Sequence, residues 1–316
     1  MEAVLSYIIS IFLTIETIFS LAPNLFGKVT TYAPEENGII LNCAVVSDTH
    51  ADRNIFRDRT DILRKAYAGI GESSESIDVL LNIGDITNSG TRQDYRTQKR
   101  LEKVYVKAEN YVSCLGNHDS WNESADPDYE EAKRLFIDYL KTKGIDSEKI
   151  YYSTVIDGYH FICLGTESLD LHEALPVYSV EQLQWLDSEL KEAVKSGLPV
   201  FVLSHKPVAG HNGIEDSEGL PKAVDEIMQK YASAESPVIF FSGHYHDFTP
   251  SIFDSENNVY YVNMPSTEYN DETENECNDN GGMGVTMEVY EGKIIIKARN
   301  FIKDKFIDGY RFEIDF

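Results

Sequence analysis

The sequence predicts a layered α/β domain, and its length, its apolar content and the order of its segments lead to that prediction. The chain has 316 residues, and 42% of them are hydrophobic, which is enough for one large core. From residue 39 onward, short apolar runs alternate with segments of helical period. Because strands buried on both faces are almost continuously apolar, we expect a largely parallel sheet covered by helices.

Six apolar runs are predicted to be buried strands, and amphipathic segments between them are predicted to be helices. Ser179 and Gln182 have the spacing of a capping box, which indicates a helix start at that point. The predicted strands are GIILNCAVV, IDVLLNI, YVSCL, YHFICLG, LPVFVLS and SPVIFFS. The predicted helices cover residues 53–70, 92–108, 128–142 and 179–194.

After residue 250 the pattern becomes that of β-hairpins. Asn257 and Asn258 separate two apolar runs, and Glu291 and Gly292 separate two more, so each pair predicts a tight turn. No internal repeat and no long linker divides the chain. We therefore expect a single domain over residues 39–316.

Residues 1–27 form a separate apolar segment that ends around Pro23 and Gly27. Polar residues recur in it every three or four positions, so a helix here would be amphipathic. Its length suits a membrane segment, but the first basic residue is Lys28 and Glu16 interrupts the run. Three interpretations stay open: a membrane-bound or membrane-lying helix, a secretory signal, or a helix docked on the protein itself or on a second copy. The first two predict a membrane-associated or extracytoplasmic protein, and the third allows a cytoplasmic one.

The charge of the chain argues against nucleic acid as a partner. The 28 Lys and Arg residues against 53 Asp and Glu residues give a net charge of −25, which repels a phosphate backbone. The tract over residues 267–282 holds six of these carboxylates and is predicted to be a solvated loop. Cys43, Cys114 and Cys163 lie in apolar runs and are predicted to be core thiols, not zinc ligands or disulfides.

Side chains that can bind metal follow five of the predicted strands at their carboxyl ends. Ligands of open α/β sheets bind beyond these ends, so we expect the side chains to converge. Asp48 and His50 are two residues apart on an extended chain and point to the same side, as do His244 and His246. Oxygen and imidazole ligands without a thiolate suit Mn, Fe or Zn, and a shared carboxylate would hold two ions side by side. The candidate ligands are Asp48, His50, Asp85, Asn117, His205, His244 and His246.

These residues resemble the motif set of the calcineurin-like metallophosphoesterases. The motifs are Asp-Thr-His at 48–50, Gly-Asp at 84–85, Gly-Asn-His-Asp at 116–119, His205, and Gly-His-Tyr-His at 243–246. The resemblance covers residues 40 to about 300. It implies a four-layer αββα sandwich of the metallophosphoesterase type, here with an added N-terminal apolar helix, and two divalent or trivalent metal ions.

The resemblance also implies a role for each residue. It places Asp48, His50 and His246 on the first metal, places Asn117, His205 and His244 on the second, and makes Asp85 the bridging ligand. His118 would stay off the metals, oriented by Asp119, as general acid or as a donor to the phosphate. The implied reaction is hydrolysis of a small phosphoester by attack of a metal-bridging hydroxide.

Within the family, SDTH, GDITNSGTRQDY and GNHD look most like the cyclic-nucleotide phosphodiesterase-like branch. Purple acid phosphatases have a Tyr at the position of Asn88, and protein serine/threonine phosphatases have GNHE where this chain has GNHD. The alternatives are a phosphomonoesterase or phosphodiesterase with another substrate, and a catalytically silent metal-binding scaffold. The sequence leaves the oligomeric state open.

Overall fold

The structure of the protein is a computed structural model. It describes residues 34–35, 37–54, 58–72, 76–120, 129–167, 177–208, 220–247, 251–254, 257–268 and 281–316. The helix predicted over 1–27 and most of the acidic tract lie outside these ranges, so the membrane-association hypothesis stays a prediction. No helix in the described ranges is both long enough and apolar enough to cross a bilayer.

Twelve strands of the described chain form two six-stranded sheets. The strands are β1 (Leu41–Val46), β2 (Val79–Asn82), β3 (Asn110–Ser113), β4 (Tyr152–Ile156), β5 (Tyr159–Cys163), β6 (Val200–Leu203), β7 (Val238–Asp247), β8 (Ser251–Asp254), β9 (Val259–Pro265), β10 (Met283–Tyr290), β11 (Lys293–Asn300) and β12 (Lys305–Asp315). The first sheet has the order β12-β11-β10-β1-β2-β3, and the second has the order β4-β5-β6-β7-β9-β8.

Each sheet has a parallel part that brings strand carboxyl ends together. In the first sheet β1, β2 and β3 are parallel, and β10 joins β1 in antiparallel register. In the second sheet β5, β6, β7 and β9 are parallel, and β4 and β8 are antiparallel edge strands. Both C-terminal hairpins form as predicted, with Asn258 and Gly292 at positive φ in their turns.

The helices lie close to their predicted ranges. They are α1 (Asp58–Gly71), α2 (Arg92–Leu101), α3 (Tyr129–Lys141), α4 (Val180–Ala193) and α5 (Leu220–Tyr231). The single helix expected over 92–108 is two elements, because a π-helix (Glu102–Val106) continues α2. Sequence patterns did not predict α5, β4 or β12.

The capping box predicted at the start of α4 is only half formed. The Ser179 hydroxyl accepts the Gln182 N–H at 3.1 Å, but the Gln182 side chain bonds both backbone groups of Gly165 instead of returning to Ser179. The reciprocal box occurs at α2, between Thr91 and Asp94. The predicted helix start is correct, and the predicted partner of Gln182 is wrong.

Alternate residues of each buried strand face different hydrophobic clusters. In β1, Leu41, Cys43 and Val45 belong to the largest cluster, which combines residues of both sheets and therefore lies between them. Ala44 and Val46 face α1 in a second cluster. A third cluster joins the second sheet to α4 and α5. This confirms a mixed α/β fold with two sheets and flanking helices.

The described cysteines are core thiols, as predicted. Cys43, Cys114 and Cys163 are free and buried. Burial raises the pKa of the Cys163 thiol to about 12, so this thiol stays protonated at neutral pH.

Candidate metal centre

The two parallel strand groups carry the predicted ligands at their carboxyl ends. In the first sheet, Asp48 and His50 follow β1, Asp85 follows β2 and Asn117 follows β3. In the second sheet, ligands come from the end of β6 and from β7. The ligands therefore reach one place from two sheets that face each other, as the strand-end argument predicts.

Four of the predicted ligands form one compact cluster. One ligand atom from each of Asp48, His50, Asp85 and His246 lies within 4.8 Å of the others. His246 Nε2 is 3.1 Å from Asp48 Oδ1 and 3.2 Å from His50 Nε2. His50 Nε2 is 3.9 Å from Asp85 Oδ2. Imidazole nitrogens that point at one another and at carboxylates are arranged to share a cation.

A second group of predicted ligands adjoins this cluster through Asp85. His205 Nε2 is 3.2 Å from Asp85 Oδ2 and 3.8 Å from Asp48 Oδ1. The His205 and His244 ring centroids are 5.3 Å apart. In the described part of the chain, the buried Asn117 Oδ1 atom has no hydrogen-bond partner. Buried polar atoms of a native fold have partners, so this atom fits a metal ion.

A hydrogen bond at His205 Nδ1 determines that Nε2 is the ring nitrogen that faces the site. His205 Nδ1 is 2.8 Å from the Ile83 carbonyl oxygen, so Nδ1 carries the proton and donates it to that oxygen. This bond fixes the ring and turns Nε2 toward Asp85.

The backbone is strained at most of these ligands. Non-glycine residues at positive φ are uncommon, and they persist only where surrounding structure holds them. Here the ligands at positive φ are Asp48 (50°), His50 (41°), Asp85 (47°), His244 (77°) and His246 (53°). The concentration of this strain at the ligands indicates a functional site.

Two glycines let the ligand loops approach one another. A Cβ on Gly116 would lie 2.1 Å from both the backbone N and Oδ1 of Asp85. A Cβ on Gly243 would lie 2.0 Å from Ser47 Oγ and 2.7 Å from Asp48 Oδ2. Both positions require glycine because the space of the side chain is already filled.

Burial and neighbouring charges shift the pKa values of Asp85 and His205 in opposite directions. Burial raises the pKa of Asp85, but His205 and His118 outweigh it, so the net pKa lies well below the ordinary value. Burial lowers the pKa of His205, but Asp85 and Asp48 raise it to about 9. Two fully buried carboxylates thus need nearby positive charge, which a bound cation would supply. The ligand set of carboxylate, amide and imidazole groups suits Mn, Fe or Zn.

His118 lies beside the cluster, with its ring edge-on to His50 at a centroid distance of 4.6 Å. His118 Nδ1 is 2.9 Å from the carbonyl oxygen of Asn88. The His118 backbone N–H donates to Asp85 Oδ1 at 2.8 Å. These contacts hold His118 next to the Asp85 carboxylate.

Asp119 is hydrogen-bonded to the loop that holds this ring. Its carboxylate accepts backbone N–H groups from Ile86, Thr87 and Gly116 at 2.9 to 3.1 Å, and it accepts the Thr87 hydroxyl at 2.8 Å. Asn88, whose carbonyl holds His118, follows directly in that loop. Asn88 was missed because a backbone carbonyl leaves no trace in the sequence pattern.

Glu268 is the second residue that the sequence did not assign to the site. It belongs to the tract predicted to be solvated, and for this carboxylate that prediction is wrong, because it is fully buried. Arg59 Nε lies 2.7 Å from Glu268 Oε1. Burial raises the pKa of Glu268 to about 8, although Arg59 and His246 oppose the shift.

Two sheets that present carboxylate, amide and imidazole groups from their strand ends define a metallohydrolase type of site. A family model described as calcineurin-like phosphoesterase matches residues 41–248 of the chain. The chain belongs to the calcineurin-like phosphoesterase family and is a phosphoester hydrolase. The cluster of Asp48, His50, Asp85 and His246 is its candidate metal site.

Relatives and solved structures agree with this assignment. The protein named "probable glycerophosphodiester phosphodiesterase GpdQ" from Arcobacter nitrofigilis is 26% identical over 215 residues, which cover 66% of this chain and 72% of that protein. A dimetal phosphatase from Danio rerio has a TM-score of 0.58 at 15% identity, over 88% of this chain and 99% of that one. The purple acid phosphatase PPD1 from yellow lupin (Lupinus luteus) has a TM-score of 0.61 at 14% identity, over 90% of this chain and 55% of that one. At these identities the two structures show a shared fold and nothing finer.

Proposed function

We propose that the protein hydrolyses a small phosphodiester with two metal ions held between the ends of the two sheets. The observation that carries this proposal is the convergence of the ligand atoms of Asp48, His50, Asp85 and His246 within 4.8 Å of one another. The adjoining His205 extends the cluster, with Nε2 3.2 Å from Asp85 Oδ2.

The ligands divide into two sets that share one carboxylate. Asp48, His50 and His246 would hold the first ion, and Asn117, His205 and His244 would hold the second. Asp85 would serve both ions, and the distances from its Oδ2 atom to His205 Nε2 (3.2 Å) and to His50 Nε2 (3.9 Å) support this role. When bound, two such cations lower the pKa of a coordinated water and neutralise charge on the phosphate oxygens.

His118 is the proposed general acid. Its Nδ1–H donates to the Asn88 carbonyl oxygen at 2.9 Å, which holds the ring in place. The opposite ring edge, with Nε2, is then available to give a proton to the leaving oxygen. General acid catalysis of this kind typically contributes about 100-fold to 10,000-fold to the rate.

Two substrate classes are in question. The SDTH and GNHD motifs resemble the cyclic-nucleotide phosphodiesterase-like branch. The relative from Arcobacter is named for glycerophosphodiesters, which favours that class as the second candidate. Both are small phosphodiesters with one negative charge, so a chain with net charge −25 repels them less than it repels a polyanion.

The test compares hydrolysis of four esters by the metal-loaded protein: bis-p-nitrophenyl phosphate, p-nitrophenyl phosphate, cyclic AMP and a glycerophosphodiester. We expect the diesters to react faster than the monoester, and EDTA to abolish turnover. His118→Ala should lower kcat about 100-fold or more. His160→Ala is the matched control, because His160 is half-buried near the amino end of β5 and should leave kcat unchanged.

Three outcomes of this test would contradict parts of the proposal. Unchanged kcat in His118→Ala refutes the role of His118. Faster turnover of the monoester refutes the diesterase assignment. If none of the four esters is hydrolysed while both ions are bound, the result favours the scaffold alternative.

A further inference from the structure

Ser47 directly precedes the candidate ligand Asp48, and the two side chains are hydrogen-bonded. Ser47 Oγ donates to Asp48 Oδ2 at 2.6 Å. Consecutive side chains of an extended strand point to opposite faces, so a continuation of β1 would keep these two groups apart. The backbone of Asp48 is left-handed, with φ of 50°, and this breaks the alternation of the strand. The strained backbone at Asp48 therefore comes with a specific contact to the preceding hydroxyl.

The Ser47 hydroxyl has a fixed position in the fold. The residue is fully buried. The Thr267 N–H donates to the Ser47 carbonyl oxygen at 2.9 Å, and the Ser47 N–H donates to Thr267 Oγ1 at 3.4 Å. A Cβ on Gly243 would lie 2.0 Å from Ser47 Oγ, so the backbone of β7 packs directly against the hydroxyl. The Ile83 carbonyl oxygen is a more distant acceptor at 3.3 Å, and the hydroxyl proton favours the closer, charged carboxylate.

The two carboxylate oxygens of Asp48 have different surroundings. Oδ2 accepts the Ser47 hydroxyl at 2.6 Å and the His244 backbone N–H at 3.3 Å. Oδ1 lies 3.1 Å from His246 Nε2 and 3.8 Å from His205 Nε2. Oδ2 is thus held by groups that are not candidate ligand atoms, and Oδ1 faces the imidazoles of the candidate metal centre.

We propose that Ser47 is a positioning residue for the first metal ion, because its hydroxyl holds Asp48 Oδ2 and so presents Oδ1 to the ion. This inference rests on the proposed function. Without the hydroxyl, Oδ2 keeps the longer bond from the His244 backbone, and the carboxylate is freer to rotate about its last side-chain torsion, which has broad energy wells. Loss of a group that orients a metal ligand typically costs about 10-fold to 100-fold in metal affinity. Asp48 belongs to the first set of ligands, so the second ion should be much less sensitive.

The test measures metal affinity. Full-length protein is stripped with a chelator and titrated with Mn²⁺ by isothermal calorimetry. We expect Ser47→Ala, which removes one hydroxyl, to weaken one of two Mn²⁺ sites by about 10-fold to 100-fold and to leave the other unchanged. Asn117→Ala, which removes a proposed ligand of the second ion, identifies the sites. The site that Ser47→Ala weakens should be the one that Asn117→Ala leaves intact.

The chain offers a matched control. Ser153 Oγ donates to Glu189 Oε2 at 2.6 Å, so the same kind of bond has the same length at another place in the fold. Ser153 lies on the edge strand β4, outside the ligand loops. Ser153→Ala should leave both Mn²⁺ affinities at the wild-type values.

A second measurement separates positioning from a merely structural role. The unfolding free energy of the metal-free variants is obtained from urea titration. If Ser47→Ala loses stability in the metal-free form while both Mn²⁺ affinities stay at the wild-type values, the proposal is overturned. Equal weakening of both sites, or weakening of the same site by Ser47→Ala and Asn117→Ala, overturns it as well.

A further variant covers the case in which Ser47→Ala does not fold. Ser47→Cys keeps the shape of the side chain but has a weaker donor, so it must still weaken one site. Wild-type affinities in this variant overturn the proposal. Wild-type protein that binds no Mn²⁺ would overturn the proposed function itself, which distinguishes the two failures.

Discussion

Gly116→Ala should damage catalysis far more than it damages the fold. The added Cβ would lie 2.1 Å from the Asp85 backbone N and Oδ1 atoms, whereas Cβ contacts below 3.0 Å are essentially never seen. The two loops must therefore separate by about 0.9 Å, the difference between these distances. Because one of the crowded atoms belongs to the backbone, a rotation of the Asp85 side chain cannot relieve the contact.

This displacement moves the carboxylate that is proposed to serve both sets of ligands. Asp85 Oδ2 lies 3.2 Å from His205 Nε2, and a misplacement of about 1 Å in an active site can cost about 100-fold in rate. We expect kcat for bis-p-nitrophenyl phosphate to fall by about that factor. Overpacking of this size costs about 1–3 kcal/mol of unfolding free energy, which leaves the protein folded.

Gly144→Ala is the control for this prediction. A Cβ on Gly144 has nothing within 4 Å, but its φ of +80° strains any other residue. We expect a loss of about 1–2 kcal/mol in stability and unchanged kcat. If Gly116→Ala retains kcat within about threefold of wild type, the position of Asp85 does not limit catalysis and the reasoning is refuted.

Two further predictions concern buried charge. Lys143→Met leaves the fully buried Glu102 without its cation and should lower the unfolding free energy, measured in urea, by about 3–5 kcal/mol. Adding Glu102→Gln to the same chain should restore most of this loss. Equal stability of the single and the double variant would contradict the prediction. The pKa of Asp119 is raised to about 6 by burial and by Asp85, so the folded metal-free chain holds this proton more tightly than the unfolded chain. The unfolding free energy of the wild-type protein should therefore fall, relative to that of Asp119→Asn, as the pH rises from 4 to 6. Parallel pH profiles of the two proteins would disprove this prediction.

The sequence was most informative where one physical requirement acts on many residues. Buried parallel strands need continuous apolar runs, and β1 shows why, since Leu41 and Ala44 face different clusters and both must be apolar. Binding sites of α/β sheets lie beyond the carboxyl ends of the parallel strands. All the predicted metal ligands within the described ranges accordingly follow such a strand end or lie on β7. Strand β12 was missed because it is an edge strand with mostly exposed residues, and such a strand has no apolar run.

The contacts around the candidate ligands were not predictable in the same way. The Asn88 carbonyl that holds His118 is a backbone group, and every residue has one. Glu268 stands in an acidic tract whose composition indicates a solvated loop, and only the pairing of Ser47 with Thr267 brings it inside. Positions of this kind depend on tertiary contacts between segments 30 to 220 residues apart, which local patterns do not contain.

The measurement that tests the central claim most directly is an anomalous difference map from crystals soaked in Mn²⁺. The account predicts two peaks, one on each side of the Asp85 carboxylate, with Asp48 beside the first peak and Asn117 beside the second. A map with no peak at Asp85, or with Mn²⁺ bound only at surface carboxylates, would contradict it.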